Sequence, residues 1–148
     1  QAIPLGAYGR GPNWLYAALA LLAAPSPFVQ FDVRLGWVRP RSLRLEAPDP
    51  TAPLQVQIHE RPAYVHVEGL LPVAYIDYGQ LDSLTVPPVR AGTGVVLSGQ
   101  LPHWLTTSLA LTFRAAPWIA VYQPQLEGAA VIYSADQTQP IGARLSLR

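Results

Sequence analysis

The chain contains no cysteine and no lysine, and its 148 residues sum to a formal charge of only +1. Without cysteine there are no disulfides, no thiolate metal ligands and no cysteine nucleophile, although the compartment is left open. Near-neutrality excludes a field strong enough to grip long nucleic acid, so a DNA duplex is not an expected partner. All ten cations are arginines, whose planar, permanently charged fork suits phosphate. Long apolar runs are missing too. The strongest candidate, Trp14 to Ala24, is too short for a bilayer, which needs about 20 residues. It has the look of a signal-peptide core, but the same pattern returns at Trp104 to Phe113, where no signal can lie. The expected protein is soluble and cytoplasmic, with no membrane partner. Its first residue is glutamine rather than methionine, which points to a trimmed start and leaves room for a fused or missing further domain.

Half of the residues are apolar, enough for a folded interior at this length. Sixteen prolines impose frequent breaks and short elements. Residues 2–8 read as a strand, with Pro4 near an edge or a strand start. A helix follows from Pro12, at its first position, to about Ala23, with Trp14, Leu15, Ala18, Leu19 and Leu22 as its buried stripe. Pro25 and Pro27 stop it, and a strand through Phe28, Val29 and Phe31 leads into Asp32-Val33-Arg34-Leu35-Gly36. The segment from Arg39 to Ala52 is an extended connection with a strand at Ser42 to Leu45. Alternation of Val56, Ile58, Val65 and Val67 around Glu60-Arg61-Pro62-Ala63 predicts a hairpin. Beyond a connector over 70–90, with a helical turn at Asp77 to Leu84, come a strand at Val95 to Leu97 and a helix from Pro102 to Arg114. Strands at Trp118 to Tyr122, Ala129 to Tyr133 and Ala143 to Leu147 complete the chain. The fold class is α/β, a compact pseudo-symmetric unit with a mixed sheet and two main helices.

One stretch is written twice. Gly9-Arg10-Gly11-Pro12-Asn13-Trp14-Leu15-Tyr16 is echoed ninety residues later by Gly99-Gln100-Leu101-Pro102-His103-Trp104-Leu105. At that offset Gly9, Pro12, Trp14, Leu15, Leu19, Ala20 and Leu21 meet Gly99, Pro102, Trp104, Leu105, Leu109, Ala110 and Leu111. One inserted residue later, Asp32, Arg34 and Leu35 meet Gln123, Gln125 and Leu126. Residues 1–45 therefore read as a partial unit and 53–148 as a complete one, the two sharing one core.

A strand that feeds through glycine into a helix leaves free amides at the helix N-terminus, where the helix dipole also favours anions. Gly9, Arg10 and Gly11 form such an end, with Arg10 adding a guanidinium, and Gly99 and Gln100 form its uncharged echo. Asn13, Tyr16, His103 and Thr106, in the first turns of the two helices, are the side chains placed to line a site. Two further groups each have two readings. Asp32 and Arg34 are either ligand residues or an exposed ion pair of little energetic worth. His59 and His66 lie on one hairpin face, which is either a solvated surface, the favoured reading, or half of a metal site.

Glycine-Arg-Gly-Pro-x-Trp-Leu-Tyr after an apolar strand, followed by Asp-x-Arg-Leu-Gly after the next, resembles the small CRISPR-associated ring nuclease family of the third type, distantly related to CARF domains. Residues 54–147 are similar to a whole member and residues 2–45 to its second half. The resemblance implies a CARF-like fold that binds a cyclic oligoadenylate, chiefly cyclic tetra-adenylate, in type III CRISPR signalling. It also implies manganese-assisted cleavage to a linear product and a homo-oligomer, because sites in this family form between subunits. By the same resemblance Asp32 and Arg34 are the catalytic pair, with Val33 in place of a proline. The family's histidine position falls on Ala23 or Ala24 in the first copy and on Arg114 in the second. Gly9, Arg10, Gly11, Asn13, Tyr16, Gly99, Gln100, His103 and Thr106 are the candidate ligand-binding residues. Stacking on adenine is one reading of Trp14 and Trp104, but their place in an apolar stripe favours core packing. The alternative is a sensor, a sponge or an oligomerisation module without catalysis, which Gln123 and Gln125 favour.

Overall fold

The computed structural model describes residues 3–72 and 76–147. Ala2, the first residue of the expected opening strand, and residues 73–75 of the connector lie outside them. The chain opens with β1 (Leu5–Ala7), α1 (Asn13–Ala23), β2 (Phe28–Asp32) and β3 (Gly36–Val38). Strands β1 and β2 pair in parallel and β2 and β3 form a hairpin, which makes a three-stranded sheet. Next come β4 (Arg44–Leu45), the hairpin of β5 (Gln55–Glu60) and β6 (Tyr64–Leu70), a 3-10 turn at Tyr78–Ser83, and β7 (Thr85–Val86), which pairs with β4. Then follow β8 (Gly94–Ser98), α2 (His103–Thr112), β9 (Trp118–Gln123), β10 (Gly128–Ser134) and β11 (Arg144–Ser146). The six-stranded sheet has the order β11-β10-β9-β8-β6-β5, mixed as expected, with β6, β8 and β9 parallel.

The two copies share an order of elements and a register. Leu5 sits opposite Phe28 as Val95 sits opposite Ile119, and Asp32 opposite Gly36 as Gln123 sits opposite Gly128. In both helices proline is the N-cap with extended ψ, one position earlier than the sequence reading placed it. Its missing N–H costs nothing there, because the first amides of a helix lack an intrahelical partner. Helices α1 and α2 pack against each other, so the two copies meet through them.

The buried stripe of α1 is not the one expected. Tyr16, Ala17, Ala20 and Leu21 are buried, whereas Leu22 is 80% exposed and Trp14 and Leu15 stand at the surface. The helix carries no charged residue and is apolar nearly all round, so its period does not single out a face. Ala17 and Ala20 have no bulk to hold a neighbouring helix away. Helix α2 is buried continuously from Trp104 to Leu111. Its C-terminal end is held by the strap that follows β3: the Ser42 hydroxyl donates to the Leu111 carbonyl at 3.2 Å, and the Leu43 amide to Thr112 Oγ1 at 2.8 Å.

The two signature glycines share a conformation but not a setting. Gly9 has φ +119° with nothing near its missing Cβ, whereas Gly99 has φ +124° and a Cβ there would lie 2.2 Å from the Gly69 carbonyl oxygen. Gly9→Ala is expected to cost only backbone strain, about 1–3 kcal/mol. Gly99→Ala must also move a strand, and should cost roughly 2–5 kcal/mol. Urea unfolding of the two variants checks this; equal losses would show that strand β6 yields freely at Gly69.

Candidate functional site

The first copy builds a braced turn. The Tyr16 hydroxyl donates to the Gly9 carbonyl at 2.6 Å and accepts from the Gly11 amide at 3.0 Å, so a buried ring pins both sides of Arg10. At the end of β2, Asp32 Oδ1 accepts from the amides of Arg34 at 2.8 Å and Leu35 at 3.0 Å. This is the local turn chemistry of an Asp side chain folding back on its own backbone. From the other copy, His103 at the start of α2 lies against Tyr16, with ring centroids 5.4 Å apart and planes at 36°.

These groups enclose a cavity of about 930 Å3. Gly9, Arg10, Gly11, Tyr16, Asp32, Arg34, Gln100 and His103, eight of the residues singled out from the sequence, line it together. Burial holds the His103 imidazole below its ordinary range, with the Asp32 carboxylate pulling the other way. The sequence reading missed Gln30, which lines the same cavity and is only 2% exposed. Among the described residues its buried Oε1 meets no hydrogen-bond donor, a state that costs free energy until something donates to it. Its signal was a polar residue inside the apolar run Phe28-Val29-Gln30-Phe31.

The other predicted residues fall in a second cavity, of about 1020 Å3, over the ends of β6, β8 and β9. Asn13, Gly99, Gln100 and Thr106 line it, and Gln100, Leu71 and Leu101 belong to both cavities. Here Gln123 Nε2 donates to Asn13 Oδ1 at 3.5 Å, so each helix N-terminus faces the strand end of the opposite copy. Among the described residues no arginine lines this cavity; its ionisable members among them are His66, Glu68 and Tyr122. His66 Nε2 lies 2.6 Å from Ser98 Oγ, and His59 Nε2 lies 3.1 Å from Glu68 Oε1, with the two imidazole centroids 5.2 Å apart. Burial first, and then the neighbouring His59, lower the affinity of His66 for a proton.

The donor sets do not fit a resident manganese ion. Asp32 spends Oδ1 on two amides, and among the described residues no group of three or more His, Asp or Glu side chains is arranged to hold a metal. Nor, among them, is any helix long and apolar enough to cross a membrane.

A family model described as CRISPR-associated protein (Cas_csx3) matches residues 70–146, more than half of the chain. The chain belongs to this CRISPR-associated family. The match spans β7 to β11 and α2, which is the body of the second copy, and takes in Gly99, Gln100, His103 and Thr106. Arg10, Asp32 and Arg34 lie before it, so the more highly charged cavity is assembled largely from the part of the chain outside the match.

Proposed function

We propose that the protein binds a cyclic oligoadenylate, with cyclic tetra-adenylate the leading candidate, and cleaves it to a linear product, switching off type III CRISPR signalling. The observation that carries this reading is the convergence of Arg10, Arg34 and Asp32 on one cavity, beside the donor-less Oε1 of Gln30. Two guanidiniums suit phosphate and can offset charge that builds on it during cleavage. A carboxamide oxygen without a donor suits the amino or hydroxyl groups that a nucleotide carries. Membership of a CRISPR-associated family supports a ligand from that defence system.

The second cavity, which no arginine lines among the described residues, supports a division of labour. Its amides and hydroxyls can hold sugar or base, and its described lining does not repeat the charge pattern of the first. This observation also favours the second reading, a sensor or sponge that retains the ring uncut. A homo-oligomer and a cytoplasmic setting belong to the same proposal.

Incubation with radiolabelled cyclic tetra-adenylate, with and without manganese, separates the readings. Linear product supports the nuclease, stoichiometric retention without product supports the sponge, and no retention removes both. Arg10→Ala is expected to weaken retention about 10–100-fold, the loss of one charge-assisted contact of about 1.5–3 kcal/mol. Filter binding at rising salt checks it: the variant should lose less affinity to salt than the parent chain does.

A further inference from the structure

We infer that His103, which belongs to the second copy, is the general base for ring opening in the cavity of the first copy. This rests on the reading that a cyclic oligoadenylate is cut there. Two observations place the imidazole for that work. It lines the cavity that Arg10, Asp32 and Arg34 line, and it rests on Tyr16, whose hydroxyl is tied to Gly9 and Gly11 on the two sides of Arg10. Its ring therefore lies on a braced platform in the cavity that the phosphate-suited groups also line. Among the described residues, the titratable and charged groups around the cavity are Arg10 and Tyr16 from the first turn and α1, Asp32 and Arg34 from the end of β2, and Asp77 ahead of the 3-10 turn. His103 is the one histidine among its lining residues.

His103 is exposed at the cavity mouth, yet partial desolvation of the ring outweighs the pull of Asp32 and lowers its affinity for a proton, which favours the neutral form near pH 7. A neutral imidazole is a base. It takes the proton of a ribose 2′-hydroxyl; the 2′ oxygen bonds to the adjacent phosphorus as the bond from phosphorus to the 5′ oxygen breaks. The leaving 5′ oxygen takes a proton from water, and the imidazolium returns its own to solvent. Atoms balance without a co-reactant. The first linear product has the mass of the ring, with a 2′,3′-cyclic phosphate at one end and a 5′-hydroxyl at the other.

The second cavity supplies an internal contrast. Asn13 stands there at the position equivalent to His103, and it meets Gln123 where His103 shares its cavity with Asp32. Amides neither take nor release protons near neutrality, so of these two matched helix-start positions only the one in the first cavity carries a group that can.

The test compares the parent chain with His103→Gln and His103→Ala on labelled cyclic tetra-adenylate at saturating concentration. Cleavage is expected to fall about 10²–10⁴-fold in both variants, and added imidazole should restore part of it in His103→Ala. In the parent chain, kcat/KM measured at subsaturating ring should show, against pH, an acid limb below the roughly 6.5 of a free imidazole, a readout that needs no variant to fold. Cleavage by either variant at the parent rate, a loss that imidazole does not rescue, or a parent profile without that limb overturns the role of His103 alone. A parent chain that retains the ring but never opens it overturns the cleavage reading and this inference together.

Discussion

Asp32→Ala is expected to abolish the linear product, with a fall in cleavage of at least about 10²-fold. Two roles of the carboxylate must be separated to interpret that loss. Its Oδ1 shapes the turn by accepting from the amides of Arg34 and Leu35, and its charge faces the cavity that holds His103. Alanine removes both, whereas Asp32→Asn keeps an oxygen for the amides and removes the charge. The pair therefore divides geometry from electrostatics. If charge matters, asparagine should cleave as poorly as alanine while unfolding at the parent temperature. The alanine variant should lose only about 1 kcal/mol of stability, the net worth of a typical hydrogen bond. An asparagine variant that cleaves like the parent would reduce Asp32 to a turn residue. Cleavage surviving in the alanine variant would move the site elsewhere.

The recurrence of a strand, a turn and a helix was legible because glycine and proline recur at one spacing, and each is set by backbone geometry rather than by context. Gly9 and Gly99 both take positive φ, and Pro12 and Pro102 both cap a helix. The hairpin at Gln55 to Leu70 was legible for a similar reason, since strict alternation at Val56, Ile58, Val65 and Val67 has one structural meaning. The face of α1 was not, because an apolar helix without charges leaves the choice to its neighbours. The division of the candidate residues between two cavities was hidden too. It depends on α1 and α2 crossing copies, so that Asn13 meets Gln123 and His103 shares a cavity with Asp32, a long-range fact that no local spacing encodes. Gln30 was readable only as an interruption; that it lacks a donor needed the packed structure.

Trp104→Ala should unfold the protein far more readily than Trp14→Ala, although the two tryptophans occupy equivalent places in the repeated motif. Trp104 is 1% exposed and Trp14 is 37% exposed. Trp104 also meets Tyr78 edge-on, with centroids 5.3 Å apart and planes at 86°. Tyr78 is itself fixed by Arg39, accepting from its amide at 2.9 Å and donating to its carbonyl at 2.6 Å. Truncating Trp104 thus opens a cavity beneath the 3-10 turn and the strap together, for about 3–5 kcal/mol, or a fall in melting temperature of roughly 6–20 °C. Trp14→Ala removes a side chain that solvent already reaches over about a third of its surface, and should cost less, about 1–2 kcal/mol. Thermal unfolding of both variants decides between two accounts of the duplication. Unequal losses mean that the second copy carries the core while the first is freed to shape a site. Equal losses would mean that α1 buries its tryptophan in solution, and that the exposed face assigned to it here is covered.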